Sequence, residues 1–378
     1  MPHRVTFLTT GLATGGAEMM LLKLCSRLDP SRFAPVVISL SDKGVIGPCL
    51  EELGIPVFSV GMYRNCPSPM GLLRLRKLIS TLRSDLIQGW MYHGNLAAIF
   101  QGAGKPVVWG IRQSLYGLDK ERALTRWVIR LGAFMSRYAR TIVYNSHISA
   151  RQHEAFGFKT ARTCIIPNGF DTDVFRVDEG ARFRVRRELK LDDDVVLIGL
   201  IARYHPMKDH RAFLSAAASL AKQCPNVHFL LAGKEVDAGN AALGAMIEEF
   251  GLRGRVSLLG ERKDIPQLSA ALDIASSTSA WGEGFANVVG EAMSCGVPCV
   301  VTDVGDSSSV VGDTGQVVPR GDAVALAAAW KSLITLGHKG RRELGMRARR
   351  RVIENFSLEM VVKRYEELYE SLITRRGE

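Results

Sequence analysis

Residues 276–306 constrain the fold more than any other stretch, because the periodicity of the apolar residues changes twice within it. An apolar run at 272–277 predicts a buried strand, and a glycine-containing loop follows at 281–286. Helical periodicity then extends from about residue 287 to residue 294, and the run CVVT at 299–302 predicts a second strand. The whole stretch therefore predicts a strand, a loop, a helix and a strand in that order.

Two carboxylates lie close to the start of this predicted helix. Glu283 is in the loop, and Glu291 lies one turn into the helix. In a doubly wound sheet both positions fall at the carboxyl edge of the strands, where ligands bind. The N–H groups of residues 285–288 face the same way and predict an anion site made of backbone. The alternative is an ordinary β-α unit with two solvated carboxylates, since surface glutamates occur at every spacing.

The rest of the chain repeats the alternation of strands and helices. In the first half we expect strands at 4–10, 36–40, 57–60, 86–91, 107–111, 141–144 and 164–166. In the second half we expect them at 195–201, 227–231, 256–259, 272–276 and 299–302. Strands that alternate with helices form a parallel sheet covered on both faces. A chain of 378 residues is long enough for two such α/β domains with full cores.

A charged segment at 170–194 shows no clean strand pattern and predicts the linker, with the break near 168–190. We therefore expect one domain over 1–170 and a second over 171–356. The tail predicts a helix from 357 to about 373, with one apolar stripe at helical spacing. That stripe consists of Leu358, Val361, Val362, Tyr365, Leu368, Tyr369 and Leu372.

The segment EGFANVVGEAMSCGVPCVVTD resembles the signature of glycosyltransferase family 4, retaining enzymes of the GT-B fold. The matching residues are Glu283, Gly284–Phe285, Glu291–Ala292–Met293 and Gly296–Val297–Pro298. The resemblance implies two Rossmann-like domains that face each other across a cleft. It implies an acceptor-binding N-terminal domain, a nucleotide-sugar-binding C-terminal domain, and a final helix that packs back on the first.

The resemblance also implies roles for the residues of this signature. Glu291 would hold the ribose hydroxyls of the nucleotide, and Glu283 would act on the donor sugar as a catalytic residue. The backbone N–H groups of Gly284, Phe285 and Ala286 would complete the donor site.

Two cations follow the strand predicted at 195–201, in the segment IGLIARYHPMKDH. Arg203 and Lys208 can neutralise a diphosphate without a metal, the first through a planar fork and the second as a point charge. Two arbitrary basic residues are more often solvated, so it is the family's Arg…Lys motif that implies their catalytic and donor-binding role. His205, between them, is a weaker candidate.

A glycine-rich loop follows the first predicted strand. Gly11, Gly15 and Gly16 allow close approach of a ligand to the backbone and precede a helix start. Without the full dinucleotide fingerprint or a Walker lysine, this loop alone fits a simple turn equally well. The family resemblance of Gly15-Gly16-Ala17-Glu18 implies contact with the donor diphosphate.

Three further residues follow strands in the first half. His93 is predicted in a loop before a helix over 95–102, and the resemblance implies a catalytic position near the donor sugar; a packing histidine is the alternative. Arg112 and Gln113 follow the strand at 107–111 and are candidate acceptor contacts. Asn168-Gly169-Phe170-Asp171 matches the family's hinge, for which we expect a structural turn with positive φ.

The net charge of +11 is concentrated in the first half. Residues 1–170 contain 21 Lys and Arg against 9 Asp and Glu, whereas the remainder contains 28 against 29. One face of a helix predicted at 120–138 carries Arg122, Arg126, Arg130 and Arg137, with Leu124, Val128, Leu131 and Met135 on another. The helix predicted at 69–82 is decorated by Arg74, Arg76, Lys77 and Arg83. Such faces are usually just solvated, but they also suit an anionic bilayer.

Together with the family resemblance, which implies the chemistry, these observations predict a metal-independent retaining hexosyltransferase that uses a UDP- or GDP-sugar. We expect no cofactor, and an acceptor that is a lipid-linked or cell-surface glycan precursor. The scattered cysteines and an N-terminus that resembles a first strand favour a cytoplasmic protein, peripheral on the inner face of the membrane. A catalytically silent nucleotide-sugar binder and a nucleic-acid-binding protein are the alternatives; the latter lacks a recognition module. The sugar, base, linkage and oligomeric state stay open.

Overall fold

The computed structural model describes residues 1–62, 69–102, 104–115 and 123–374. The chain divides into two compact units. The first unit comprises Met1–Gly169 and Leu358–Glu378, and the second comprises Phe170–Ser357. The first unit therefore ends one residue before the boundary expected from the sequence.

The first unit is built on a seven-stranded parallel sheet in the order β3-β2-β1-β4-β5-β6-β7. Its strands are β1 His3–Thr9, β2 Phe33–Ser39, β3 Val57–Ser59, β4 Leu86–Trp90, β5 Val107–Ile111, β6 Thr141–Tyr144 and β7 Thr163–Ile165. Its helices up to this point are α1 Gly16–Arg27, α2 Ile46–Glu52, α3 Pro69–Leu82, α4 Met91–Gln101, α5 Ala123–Met135 and α6 His147–Ala155.

Helices cover both faces of this sheet, which explains why its strands are apolar throughout. On one face, α1 and α2 contribute Leu21, Leu24 and Leu50 to a core shared with Phe7 and Val37. On the other face, α3 to α6 form a second core, which includes Leu75, Leu96, Ile129 and Ala150.

The second unit has a six-stranded parallel sheet in the order β10-β9-β8-β11-β12-β13. The strands are β8 Val196–Ile201, β9 Val227–Ala232, β10 Val256–Leu258, β11 Ile274–Ser277, β12 Cys299–Thr302 and β13 Gln316–Val318. The helices are α7 Glu179–Glu188, α8 His210–Ala221, α9 Ala241–Glu249, α10 Ile265–Ala271, α11 Asn287–Ser294, α12 Ser307–Val311, α13 Ala323–Thr335 and α14 Gly337–Phe356. The strand order reverses between β8 and β11, a switch point at which such sheets bind ligands. The predicted class of two Rossmann-like doubly wound sheets is confirmed.

The C-terminal helix α15, Leu358–Thr374, packs on the first unit. Tyr365 and Tyr369 are fully buried in the core that contains Phe7, and the Tyr369 hydroxyl donates to Gln88 Oε1 at 3.2 Å. At the rim, Arg32 Nη1 lies 2.9 Å from Glu366 Oε2. The apolar face of α15 therefore completes one core of the first unit.

Three local predictions were wrong. The segment predicted as a linker contains α7, whose Ala181 and Val185 are buried in the second unit. The helix was not predicted because the segment has too few apolar residues to show helical periodicity. The helix expected from residue 95 begins at Met91, whose positive φ of 65° turns the chain directly out of β4. The long helix expected over 120–138 is α5 followed by a 3₁₀ turn at Ser136–Tyr138; residues 120–122 lie outside the described ranges.

The expected positive φ at residues 168–171 is also wrong, since none of these four residues has one. Gly169 is required for a different reason. A Cβ there would lie 2.9 Å from the Leu358 Cα, where the chain passes the start of α15.

Within residues 1–62, 69–102, 104–115 and 123–374, none of the helices is both long and apolar enough to cross a membrane.

Gly290 offers a test of the packing in the second unit. A Cβ at this position in α11 would overlap the ring of Phe170, which is 1% exposed and stacks on Phe285. We expect Gly290→Ala to lower the free energy of unfolding by about 1–3 kcal/mol because the core is overpacked. Denaturant unfolding measures the change.

Gly244 in α9 is the matched control, because a Cβ there meets nothing within 4 Å. Gly244→Ala should be neutral or stabilising by up to about 1 kcal/mol, from helix propensity alone. Equal effects of the two substitutions would contradict the packing of Phe170 against Gly290.

Candidate functional site

Three loops of the second unit leave the carboxyl ends of β8, β11 and β12. The first runs over residues 202–209, the second over 278–286 and the third over 303–306. Arg203 and Lys208 lie on the first loop, and Glu283 lies on the second. The structure therefore brings these predicted residues to one edge of one sheet.

The first loop ends in a short 3₁₀ turn, Pro206–Lys208, whose geometry is fixed by its neighbours. His205 Nδ1 accepts a hydrogen bond from the Met207 N–H at 3.1 Å. Asp209 has a left-handed φ of 47° and caps α8 by accepting from the Ala212 N–H at 3.0 Å. Non-glycine residues rarely adopt this conformation, so the surrounding contacts hold the backbone beside Lys208 in place.

Two hydrogen bonds from the second loop, 278–286, hold the main chain of the first loop, 202–209, in place. The Thr278 hydroxyl donates to the Lys208 carbonyl oxygen at 2.7 Å, and the Ala280 N–H donates to the Met207 carbonyl oxygen at 2.8 Å. Thr278 is 1% exposed, so its hydroxyl would be costly to leave without an acceptor. The main chain of Lys208 is thereby held against the end of β11.

Lys208 and Glu283 form an ion pair at this edge. Glu283 Oε1 accepts from Lys208 Nζ and from the Ser279 hydroxyl, the latter at 2.8 Å. The side chains of Lys208 and Glu283 are only 18% and 11% exposed. Both charges are thus largely removed from water and depend on each other for compensation.

The third loop supports the main chain of Glu283. Gly305 has φ 64°, and a Cβ there would lie 2.5 Å from the Glu283 carbonyl oxygen. The Asp306 N–H donates to the Gly284 carbonyl oxygen at 3.2 Å. Because only glycine combines this φ with so close an approach, Gly305 is needed to seat the loop that carries Glu283.

The helix α11 begins directly after this loop, as predicted. Its N-cap residue is Ala286, whose methyl side chain accepts no hydrogen bond from the first turn, so the positive end of the helix dipole lies at the site. Phe285 is 7% exposed and its ring lies 5.9 Å from that of Phe170, so only its backbone is available to a ligand. Glu291 is half-buried in the second turn of the helix.

The electrostatic environment of the first loop is positive. Arg203 is exposed, and Lys208 lies five residues further along the chain. Partial burial, followed by the charges of Arg203 and Lys208, lowers the pKa of His205. The loop is therefore suited to an anionic ligand rather than to a further cation.

In the first unit, Gly15 and Gly16 lie where α1 begins after β1. Gly15 is the N-cap residue with φ −163°, an ordinary extended conformation. A Cβ on Gly15 would meet only the Glu18 carboxylate, the far end of a flexible side chain that can turn away, so neither φ nor close approach requires glycine here. Glu18 lies in the first turn of α1, where acidic residues are common.

His93 lies in the first turn of α4, not in the loop that was predicted. Burial lowers its pKa, and its Nε2 atom is buried with no hydrogen-bond partner among the described residues. A Cβ on the next residue, Gly94, would overlap the Leu8 carbonyl oxygen near the end of β1. His93 therefore lies at the carboxyl edge of the first sheet as a neutral imidazole at pH 7.

A buried pair that was not predicted supports the start of α4. The Tyr92 hydroxyl and His153 Nε2 are 2.8 Å apart, and His153 Nδ1 lies 2.7 Å from the Ser149 carbonyl oxygen. Nδ1 must be the donor to that carbonyl, so Nε2 accepts from Tyr92. Burial lowers the pKa of His153 to about 4, which keeps this arrangement neutral.

Arg112 turns inward rather than toward solvent. Its two terminal nitrogens donate to Asn168 Oδ1 and to the Tyr365 hydroxyl, and its guanidinium lies 4.3 Å from the Trp90 ring. Gln113 is half-buried, and its main-chain carbonyl oxygen accepts a hydrogen bond from the Ser149 hydroxyl at 2.7 Å. Of the two predicted acceptor contacts, Arg112 is thus already committed to contacts within the first unit.

Across the described ranges, no three His, Cys, Asp or Glu side chains come together in a group that could hold a metal ion. The buried thiols of Cys25 and Cys299 have pKa values raised by desolvation, so they are poor nucleophiles.

Comparison with known families agrees with this geometry. The model for Glycosyltransferase Family 4 matches residues 14–174, and the model for Glycosyl transferases group 1 matches residues 194–335. D-inositol 3-phosphate glycosyltransferases of Mycobacterium bovis and Mycobacterium tuberculosis are 31% identical over 226 residues. The match covers 58% of this chain and 46% of the relatives, so the chain spans about half of their length.

Solved structures resemble nearly the whole chain. HepE of Anabaena, in complex with UDP, is 26% identical with a TM-score of 0.84, covering 97% of this chain and 100% of that one. HepE with UDP-glucose is 25% identical with a TM-score of 0.80, over 97% and 99%. A glycosyltransferase of Rickettsia africae, 17% identical with a TM-score of 0.83 over 98% and 99%, shares the fold. The resemblance to glycosyltransferase family 4 that the signature at residues 283–298 predicted is confirmed.

The Lys208–Glu283 pair can be tested by a double-mutant cycle. Lys208→Met leaves a carboxylate largely buried without its cation, and Glu283→Gln leaves the cation without its anion. Each single substitution should lower the free energy of unfolding, and the double variant should lose less than the sum of the two single losses. The difference, which is the coupling energy of the pair, should be about 1–3 kcal/mol.

The control is the exposed pair Arg253–Glu248, whose side chains are 83% and 55% exposed. Its cycle, Arg253→Met with Glu248→Gln, should give a coupling near zero because solvent screens both charges. A Lys208–Glu283 coupling no larger than that of the control would rule out the buried pair.

Proposed function

This chain belongs to glycosyltransferase family 4, and we propose that it is a retaining hexosyltransferase. It transfers a sugar from a nucleotide-diphosphate sugar to a hydroxyl of an acceptor. UDP and UDP-glucose in the HepE structures favour a uridine nucleotide over a guanosine nucleotide. The observation that carries the proposal is the ion pair of Lys208 and Glu283 at the carboxyl edge of the second sheet.

Lys208 and Arg203 bind the diphosphate in this proposal. As the glycosidic bond breaks, negative charge grows on the departing nucleotide, and fixed cations stabilise that charge without reorganising. The two hydrogen bonds from residues 278 and 280 keep the main chain of Lys208 in position while its side chain exchanges partners. The ion pair with Glu283 compensates the Lys208 charge until a diphosphate arrives.

Glu283 then becomes available to the donor sugar. Its carboxylate accepts hydrogen bonds from sugar hydroxyls, and the N–H groups of Gly284, Phe285 and Ala286 donate to the same ligand from the start of α11. Glu291 holds the ribose hydroxyls. In this mechanism the leaving phosphate takes the acceptor proton, so no separate carboxylate base is required.

The first unit supplies the acceptor side of the reaction. Gly15 and Gly16 present backbone N–H groups at the start of α1, and Glu18 lies beside them. We place His93 near the donor sugar, where its lowered pKa favours a neutral hydrogen-bonding imidazole over a competing cation. Gln113 contacts the acceptor, and Arg112 acts as a positioning residue through Asn168 and Tyr365.

The acceptor is a lipid-linked or cell-surface glycan precursor. The positive charge of residues 1–170 supports this choice, because it attracts both lipid diphosphates and the anionic membrane that carries them. In this proposal the protein is cytoplasmic and binds the inner face of the membrane peripherally.

The donor site is tested by Glu291→Ala. Loss of the carboxylate removes charge-assisted hydrogen bonds to the ribose, so the donor KM should rise roughly tenfold or more. Steady-state kinetics over a panel of UDP- and GDP-sugars measures the effect and also identifies the donor.

Glu343→Ala, on the exposed surface of α14, is the matched control and should leave the donor KM unchanged. Circular dichroism should show both variants folded. Wild-type donor kinetics in Glu291→Ala would refute the assigned role, and binding of a nucleotide sugar without turnover would favour a non-catalytic binder.

The metal-free chemistry is tested with a chelator. If Arg203 and Lys208 neutralise the diphosphate, EDTA should leave the transfer rate unchanged, and Lys208→Met should reduce it roughly a hundredfold or more. Strict dependence on Mn²⁺ or Mg²⁺ would overturn this part of the proposal.

A further inference from the structure

Helix α5 exposes a row of large apolar side chains. Trp127, Phe134 and Tyr138 are 67%, 55% and 59% exposed, and Leu124 and Leu131 lie on the same face at 39% and 43%. These five residues, termed the exposed stripe, recur every three or four positions along α5 and the 3₁₀ turn after it. Single exposed apolar residues are ordinary, but a contiguous row on one helix face marks an interaction surface.

The exposed stripe is not a displaced core face. The side of α5 that faces the sheet is formed by Ile129 and Gly132, both buried, with the Phe158 ring 3.4 Å from a Cβ placed on Gly132. Leu124 and Leu131, which the sequence placed on a different face from the arginines, therefore point outward. The packing of α5 within the first unit therefore does not require the exposed stripe.

Arginines lie beside the aromatic rings of the exposed stripe. The Arg130 guanidinium carbon is 5.9 Å from the Trp127 ring centroid, and that of Arg137 is 4.2 Å from the Phe134 ring centroid. Arg137 Nε also donates to the Phe134 carbonyl oxygen at 2.9 Å. Aromatic rings with cations over their faces match a bilayer interface, where rings enter the headgroup layer and cations meet lipid phosphates.

The neighbouring helices extend this character. Met70 and Leu73 on α3 are 59% and 62% exposed, and Phe100 at the end of α4 is 61% exposed. The sequences of α3, α4 and α5 contain no Asp or Glu. Their basic residues are Arg74, Arg76, Lys77, Arg126 and Arg130.

This composition distinguishes between the classes of partner. A second copy of the chain docked by the same face would bring arginines against arginines, which is unfavourable. A nucleic acid would satisfy the arginines but leave the leucines and methionine exposed. An anionic bilayer accommodates both, because its phosphates and its acyl boundary lie a few ångströms apart.

We propose that the exposed stripe inserts into the interfacial layer of an anionic membrane, with Trp127 and Phe134 as its anchors. This inference deepens the proposed function and rests on it, because insertion would bring the first unit to an acceptor carried in the bilayer. It differs from attraction by charge alone, since it requires the rings to leave water.

Trp127 provides a direct readout. Trp90, Trp109 and Trp330 are at most 1% exposed and Trp281 is half-buried, so a change of environment on membrane contact falls mainly on Trp127. With the full chain and vesicles of phosphatidylcholine plus phosphatidylglycerol, we expect a blue shift of tryptophan emission and quenching by brominated lipids. Both signals should be absent in Trp127→Phe and with pure phosphatidylcholine.

Vesicle sedimentation then separates insertion from charge. Trp127→Ser with Phe134→Ser should weaken binding to anionic vesicles roughly tenfold or more, because two large apolar side chains no longer leave water. Arg130→Glu with Arg137→Glu should weaken it at least roughly tenfold at low salt. The controls are Phe183→Ser and Arg253→Glu, exposed residues of the second unit, which should bind as the wild type does.

Several outcomes would overturn the inference. These are wild-type binding by the double serine variant, binding without any emission shift or quenching, and a concentration-dependent dimer that the serine variant abolishes in the absence of lipid. Consumption of the donor with a water-soluble acceptor should be unchanged in all stripe variants. If the wild type consumes no donor with any acceptor, the proposed function is refuted. The vesicle experiments still decide whether the exposed stripe inserts into the membrane, because they do not depend on turnover.

Discussion

The contact between Lys208 and Glu283 depends on a constraint of the main chain more than on the charges themselves. Two free side chains of this length would lose much of their attraction to solvent screening and to entropy. Here the donor hydroxyl of Thr278 and the N–H of Ala280 hold the loop that carries Lys208. The pair forms because both of its loops leave neighbouring parallel strands, β8 and β11, at the same edge.

Side-chain hydrogen bonds also hold the start of helix α4 in place in the first unit. Asn95 Oδ1 accepts from the Gly110 N–H at 3.1 Å, and Asn95 Nδ2 donates to the Gly110 carbonyl oxygen at 3.2 Å. This reciprocal pair ties α4 to β5, while His153 holds Tyr92 at the other side of the helix. His93 therefore lies at a helix start that is fixed from two sides, as its proposed position near the donor sugar would require.

The sequence was most informative where local signals decide the structure. Helix α11 and strand β12 have the predicted bounds, because Gly296 and Pro298 end one element and begin the next within a few residues. The placement of Lys208 and Glu283 at one strand edge followed from the parallel topology. In contrast, the contact between Thr278 and Lys208 joins residues 70 positions apart, and no local pattern encodes it.

Two further contacts have the same long-range origin. The Phe170 ring lies against Gly290, and Arg112, which was predicted to contact the acceptor, instead donates to Asn168 and Tyr365. Both depend on partners brought in by the chain near residue 170 or by α15. A segment such as α7 was misassigned because its ten residues include only a few apolar side chains. Tertiary burial, not propensity, determines such a helix.

The seven-stranded sheet of the first unit separates two helical layers of different charge. On one side, α2 contributes Glu51 and Glu52, and α15 contributes Glu366 and Glu370, which pair with Arg32. On the other side, α6 carries Glu154, whereas α3, α4 and α5 have no carboxylates to compensate their arginines. A surface with compensated charge gains little from an anionic membrane, whereas an uncompensated one gains with each cation. The sequence located these arginines on two predicted helices but could not place both helices on one side of the sheet, since a residue's layer is a property of the sheet order.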